Sequence, residues 1–287
     1  MNVSIIIVTY NTKKLTLDCI QSIIDHTSNL EYEIIVVDNA STDGSKDTFE
    51  SDNRIRYIYS ETNGGFGYGN NLGMKIAKGK YVFLLNSDTL LQNNAIKEFF
   101  DYAEKQQHPT CYGCYLVDKS GELNSPAFYF PRFTIKEFLK DKFSHVDYCY
   151  NIEKVMEVQC VCGAAMFFAK AIIDVIGEFD EHIFMYGEEG ELQYRMKEHG
   201  IGRMLIPGPQ IVHFGGGSQE DSSDSIHKLF KKNLFRSHFI ILKKHMNLPT
   251  YYIARAYYSI NVSLRYLPKA IFCDRRYFIP IKQVLSI

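Results

Sequence analysis

Unbroken apolar runs punctuate the first half of the chain, and each stops at a short polar cluster. Val3 to Thr9 is a β-branched run without alternation, which predicts a strand buried on both faces; Tyr10-Asn11-Thr12 closes it. From Lys14 onward, Leu15, Cys19, Ile20, Ile23 and Ile24 recur at helical spacing. Glu33 to Val37 is the next apolar strand, completing a βαβ unit with its right-handed crossover. Arg56 to Tyr59 predicts a third strand and Tyr81 to Leu85 a fourth, running into Asn86-Ser87-Asp88-Thr89. Further along come an amphipathic helix over 94–105, a strand over 110–117, a strand over 158–169 interrupted by Gly163-Ala164-Ala165, and a last strand over 203–206. The pattern is an α/β protein with a Rossmann-like, mainly parallel central sheet flanked by helices.

In open α/β sheets ligands sit outside the carboxyl ends of the strands, so the polar clusters carry the candidate chemistry. Asp88 comes off the fourth strand, where a carboxylate can hold a divalent cation against a phosphorylated ligand. Asp38 comes off the second, where a base or ribose would be met. Thr42-Asp43 and Ser45 are instead expected to cap the following helix. Between the third and fourth strands, Asn63-Gly64-Gly65-Phe66-Gly67-Tyr68-Gly69-Asn70-Asn71-Leu72-Gly73 reads as a glycine loop open to a ligand, followed by a helix from about Asn70 to Lys78. Its spacing departs from G-x-G-x-x-G and it follows the third strand, which argues against a nicotinamide cofactor.

Seven cysteines in irregular positions indicate a reducing compartment without a disulfide framework. A zinc site would need Cys111, Cys114, Cys160 and Cys162 to converge, but strand positions three apart face opposite ways, so they read as small core residues. A hydrophobic content of 46% over 287 residues suits one α/β domain plus an appendage. No signal peptide and no transmembrane helix is expected. The net charge of −1 hides an asymmetry: residues 225–287 hold 12 Lys/Arg against the single acid Asp274. An acidic, metal-using body with a basic tail that meets an anionic surface follows, and nucleic acid is not expected as a partner.

Val8-Thr9-Tyr10-Asn11, Val37-Asp38-Asn39-Ala40-Ser41-Thr42-Asp43-Gly44-Ser45 and Leu85-Asn86-Ser87-Asp88 together resemble family 2 glycosyltransferases of GT-A fold. Asn70-Asn71-Leu72-Gly73 is similar to the bacterial rhamnosyltransferase-like branch. The resemblance covers roughly 3–218. It implies an inverting transferase that moves a sugar from dTDP-rhamnose or a UDP-hexose to a hydroxyl of a cell-surface polysaccharide or lipid-linked oligosaccharide, with Mg²⁺ or Mn²⁺. Thr9, Tyr10, Asn11, Asp38, Asn70, Asn86, Ser87, Gly163 and Ala164 fall at donor-binding positions, and Asp88 and His213 at metal positions. The segment Phe184-Met185-Tyr186-Gly187-Glu188-Glu189-Gly190-Glu191-Leu192 resembles the aromatic-x-Glu-Asp-x-Asp-Leu motif that carries the general base. Here Glu replaces Asp twice, leaving Glu189 or Glu188 as the base. Asn86 stands where many relatives have a carboxylate. The rivals are a nucleotidyltransferase, a retaining transferase and a non-catalytic nucleotide-sugar binding protein.

These expectations divide the chain into a catalytic domain, 1–222, with a nucleotide-binding half to about 108 and an acceptor-side half beyond it, and a helical tail, 223–287. In the tail Phe230, Leu234, Phe235, His238, Phe239 and Leu242 follow helical spacing among Lys228, Lys231, Lys232, Arg236, Lys243 and Lys244. Arg255 and Arg265, then Arg275 and Arg276, lie among aromatics beyond it. A basic, aromatic-rich amphipathic surface suits an anionic membrane, so the expectation is a cytoplasmic protein held on the inner face of the cytoplasmic membrane. A homodimer through the tail is the other use of such helices.

Overall fold

The computed structural model describes residues 1–124, 126–130, 150–215, 223–272 and 278–286. These fall into two compact units, one drawn from Met1–Phe130, Cys149–Glu181 and Glu189–Glu220, the other from His182–Glu188 and Asp221–Ile287.

The first unit opens with β1 (Val3–Thr9), α1 (Lys13–His26), β2 (Tyr32–Asn39), α2 (Ser45–Glu50), β3 (Arg56–Ser60), α3 (Gly65–Ile76), β4 (Tyr81–Asn86), β5 (Thr89–Leu91) and α4 (Ala95–Glu104). It continues through β6 (Thr110–Cys114), β7 (Ala127–Phe128), β8 (Met156–Glu157), β9 (Cys160–Val161), β10 (Ala165–Ala169), α5 (Ala171–Ile176), α6 (Glu188–Glu198, whose first residue belongs to the second unit), β11 (Gly202–Ile206) and β12 (Ile211–His213). The main sheet runs β3-β2-β1-β4-β10-β6-β11-β8, with β5–β12 and β7–β9 as separate pairs. β3, β2, β1 and β4 are parallel, whereas β10 runs against both β4 and β6.

The β-branched runs end in the middle of this sheet because both faces are covered. Ile5 pairs with Ile34 and Phe83 across β1 and is fully buried, as are Ile6 and Ile7. On one face Phe167 stacks on Phe99 at 5.4 Å and on Tyr81 at 5.0 Å. A buried ring of this kind contributes about 2 kcal/mol through area alone.

The glycine-rich stretch corrects the sequence expectation. It is not a loop: α3 starts at Gly65, five residues before the helix expected from Asn70. A Cβ on Gly73 would fall 2.4 Å from Ile6, on Gly69 2.7 Å from Val8, and on Gly67 2.9 Å from Phe179. Close packing of helix on sheet therefore overrides the poor helix propensity of glycine. The strand expected over 110–117 stops at Cys114, and the one expected over 158–169 is two strands separated by the Gly163 turn.

The second unit consists, beside residues 182–188, of α7 (Ser223–His245), α8 (Leu248–Phe272) and α9 (Phe278–Ser286). Phe239, Leu242, Tyr251, Ala254, Ile281 and Val284 form its interior. Ser237 Oγ donates to the carbonyl of Met185 at 2.8 Å. His238 lies against Tyr258 at 4.4 Å between ring centroids, and burial pushes its imidazole down to about 4. The side chains of Lys228, Phe230, Lys231, Lys232 and Arg265, like Arg275 and Arg276, lie outside the described residues, as does most of the expected acceptor border, 131–149. No helix among the described residues is long and apolar enough to cross a membrane.

Candidate active site

The carboxyl ends of β1 and β2 form one hydrogen-bonded framework. Thr9 Oγ1 shares hydrogen bonds of 2.9 Å with both Thr12 and Thr16, and Thr12 Oγ1 reaches Ser87 Oγ at 3.1 Å, which ties the β1 end to the turn after β4. Asn11 and Ala40 both take positive φ, 53° and 64°. The two loops close on each other there: Asn11 N donates to Ser41 Oγ at 2.9 Å and Thr42 N to Asn11 Oδ1 at 2.7 Å. Such strained positions persist only where neighbours fix them. Tyr10 is exposed.

Asp38 is fully buried, accepting from Ser41 N at 2.8 Å and from Tyr57 OH at 2.9 Å. Thr9 is fully buried as well. Both side chains, expected at donor-binding positions, are thus enclosed by the protein at the ends of β1 and β2. Burial and then the Asp38 carboxylate push the Tyr57 phenol far up, so it stays a donor. Asp43 works harder than a single cap: Oδ2 accepts from Lys13 N at 2.8 Å and Oδ1 from Ser45 N at 3.1 Å, the first residues of α1 and α2. One carboxylate thus serves two helix N-termini. Asn70 does not face a loop either. It is buried on α3, and its Nδ2 donates back to Phe66 O at 3.0 Å.

The end of β4 is built differently. Asp88 sits on the turn between β4 and β5, and β12 pairs with β5 so that His213 lies opposite Thr89. Phe214 N donates to Asp88 O at 3.0 Å, and His213 N to Val117 O at 2.8 Å. These bonds bring His213 Nε2 to 3.4 Å from Asp88 Oδ1 across 125 residues of sequence. Asn86 N donates to Ala164 O at 3.0 Å, which sets the Gly163-Ala164 turn beside the same strand end. Glu189, in the first turn of α6, lies over that turn: a Cβ on Gly163 would stand 3.3 Å from Glu189 Cγ. Burial pushes the Cys162 thiol up to about 12, and Glu189 and Asp88 both add to the rise, so the two carboxylates lie within electrostatic reach of one sulfur. Glu188, the neighbouring acid, is 4% exposed.

Two supports for α6 carry no motif. Gln193, four residues after Glu189 and fully buried, accepts from Val161 N at 2.8 Å and donates to Val161 O at 2.9 Å, closing on β9 as a strand would. Asn71 does the same for the segment before the helix, accepting from Phe179 N and donating to Phe179 O, both at 3.0 Å. Glu191 is a structural acid. It holds Arg195 Nη2 at 2.8 Å, and Arg195 in turn donates to the carbonyls of Ile176, Gly177 and Glu178 at the end of α5.

The family model described as Glycosyl transferase family 2 matches residues 4–157, more than half of the chain. This chain belongs to glycosyltransferase family 2. It is similar to the glycosyltransferase GlyG of Streptococcus pneumoniae, 31% identical over 39% of this chain and 38% of that protein. It is also similar to the poly(ribitol-phosphate) beta-glucosyltransferase of Bacillus spizizenii, 32% identical over 39% of this chain and 19% of that protein. A third relative is the putative teichuronic acid biosynthesis glycosyltransferase TuaG of Bacillus subtilis, 32% identical over 35% of this chain and 41% of that protein. The matched segment spans less than half the length of each of these relatives. Among solved structures, GalNAc-T7 with UDP, GalNAc and Mn²⁺ superposes with a TM-score of 0.61 at 16% identity, over 83% of this chain and 47% of that one. Staphylococcus aureus TarS gives 0.53 at 16%, over 83% and 44%. The fold of this family 2 glycosyltransferase is GT-A.

The Asp88–His213 pair fits a divalent cation of the kind GT-A enzymes use. Two cis ligands of an octahedral ion at about 2.1 Å stand roughly 3 Å apart, close to the 3.4 Å separation. Among the described residues no group of three or more His, Cys, Asp or Glu could hold a metal. Such a cation would take its remaining ligands from phosphate and water. His213 Nδ1 has no hydrogen-bond partner among the described residues, so Asp88, at 3.4 Å from Nε2, is the polar group that faces the ring.

Proposed function

We propose that the chain transfers a sugar, with inversion, from a nucleotide-diphosphate sugar to a hydroxyl of a cell-surface polysaccharide or lipid-linked oligosaccharide. The convergence of Asp88, His213 and Glu189 at the end of β4, from three distant parts of the sequence, carries this reading. Base and ribose bind along Tyr10, Asn11 and Ser87, against the wall made by Thr9 and Asp38. Asn86, Gly163 and Ala164 border the sugar. Asp88 and His213 hold Mg²⁺ or Mn²⁺, which when bound neutralises charge on the departing diphosphate. Glu189 takes the proton from the acceptor hydroxyl as its oxygen attacks the anomeric carbon and the bond to the diphosphate breaks on the opposite face. Its partial exposure and its place over Gly163 support Glu189 rather than Glu188 as this base.

The names of relatives that act on poly(ribitol phosphate), a beta-glucosyltransferase and a beta-N-acetylglucosaminyltransferase, support a UDP-hexose donor. The rhamnosyltransferase-like alternative rests on Asn70 and Asn71, and here both are engaged in holding backbone. The catalytic domain is 1–222, and the basic tail, 223–287, brings it to the inner face of the cytoplasmic membrane, where a lipid-linked acceptor would lie.

A thermal-shift screen of UDP-glucose, UDP-N-acetylglucosamine, UDP-galactose and dTDP-rhamnose with Mn²⁺ tests the reading. The true donor at about 100-fold its Kd adds about 2.7 kcal/mol of stability, and its nucleoside diphosphate should be released when acceptor is supplied. No stabilisation by any nucleotide sugar would overturn it.

A further inference from the structure

α8 has two apolar faces, and only one is used. Tyr251 and Ala254 pack inward, 5% and 3% exposed, and Tyr258 meets Phe239 and His238. Roughly opposite, Ile253, Tyr257, Ile260, Leu264, Leu267 and Ile271 form a stripe in which every residue is between 41% and 71% exposed. Tyr252, also exposed, borders it on one side. The stripe runs from Ile253 to Ile271, 18 helical steps or about 27 Å at 1.5 Å per residue, well beyond the scattered exposed leucines of ordinary surfaces.

The charges decide what covers it. From Leu248 to Phe272 the helix has no acid, and its three basic residues, Arg255, Arg265 and Lys269, fall at helical positions away from the stripe. The spacing of four and three also suits a helix pair with a second copy, but such a seam is flanked by charges of both signs. Here two tails, each with 12 Lys/Arg against one acid over 225–287, would meet like to like. A wide uncharged face with tyrosines at its margin, on a strongly basic unit, fits the headgroup region of an anionic bilayer.

We propose that the exposed face of α8 is a membrane-docking face, lying in the plane of an anionic lipid surface with Ile253, Tyr257, Ile260, Leu264, Leu267 and Ile271 among the acyl-chain ends. This deepens the membrane reading of the tail and is independent of the donor and the catalytic residues. It differs from a purely electrostatic association because apolar contact supplies part of the affinity.

Flotation of the full chain with phosphatidylglycerol-containing and pure phosphatidylcholine vesicles, over a salt series, tests it against Ile260→Ser/Leu264→Ser. Both positions are exposed, so the variant should melt as the wild type does; a large loss of stability would show the face to be structural and overturn the proposal. The wild type should float with anionic vesicles, and the variant should lose at least about tenfold in partitioning, since each buried aliphatic side chain is worth about that factor. A variant that floats like the wild type, with salt stripping both, would overturn the α8 face yet leave membrane attachment through charge intact. A wild type that floats with no vesicle would remove both readings. If sedimentation instead shows a wild-type dimer that the variant converts to monomer, the face belongs to a second copy.

Discussion

The two ends of the site differ in how their polar groups are spent. At the proposed nucleotide end, Thr9, Asn11, Asp38 and Asp43 are engaged with the protein itself, in bonds of 2.7–3.1 Å that join β1, β2 and their following helices. At the reaction end, Asp88 and His213 are brought to within 3.4 Å of each other and Glu189 lies partly exposed over a glycine. In the proposed reading, the first end is a finished surface against which the donor would lie. The other keeps ionisable groups close together where, in that reading, charge would change during transfer, the arrangement electrostatic catalysis needs. Substitutions at the first should therefore cost stability and donor affinity, and at the second turnover.

The largest contrast comes from Glu189→Gln, which removes the proton acceptor without changing shape. Turnover should fall roughly 10³-fold while donor affinity stays within about twofold, read by single-turnover kinetics beside donor titration. Next, acid instability has to be separated from site chemistry. Burial holds His238 at about 4 in the folded chain against about 6.5 unfolded, so the unfolded chain alone takes up that proton in between. Its stability contribution is complete above about pH 6.5 and is lost as the pH falls towards 4, about 2 kcal/mol by pH 5. His238→Phe should flatten that part of the melting-temperature profile without altering turnover at pH 7.

Smaller effects sharpen the boundary between the two ends. Gln193→Leu leaves the Val161 peptide unpaired behind Glu189. It should lower kcat about tenfold with donor KM nearly unchanged, beside a stability loss of about 1–3 kcal/mol; Gln193→Glu, which can still accept from Val161 N, should recover part of the kcat. If KM rises and kcat holds, Gln193 belongs to the general scaffold. Tyr57→Phe should cost about 1 kcal/mol in denaturant unfolding and raise donor KM a few-fold, because Asp38 loses one of its two donors.

The strands were legible because a run such as Val3–Thr9 leaves a chain no soluble alternative to a doubly covered strand, and its bounds emerge unchanged. Asp88 and His213 were legible only as motif positions; what joins them is the β5–β12 pairing, which no local pattern records. The glycine stretch misled for a physical reason. Propensity describes an isolated helix, whereas Gly67, Gly69 and Gly73 are selected by the approach of α3 to Phe179, Val8 and Ile6. Gln193 carries no motif because a side chain bonding a distant peptide has no periodicity; a polar amide at a core-facing helical position four residues from an acid was the available sign. Thr9 and Asp38 show the converse, motif residues that are fully buried and bonded within the protein.

Binding of Mn²⁺ in the presence and absence of a nucleoside diphosphate, followed by electron paramagnetic resonance of the free ion, tests the cation site at the reaction end most directly. Two protein ligands should hold the ion only weakly alone, so the wild type should bind it tightly only with UDP or dTDP present. Asp88→Asn and His213→Ala should each weaken that ternary binding by at least about tenfold. Equal binding by wild type and Asp88→Asn, or tight binding without nucleotide, would contradict the account.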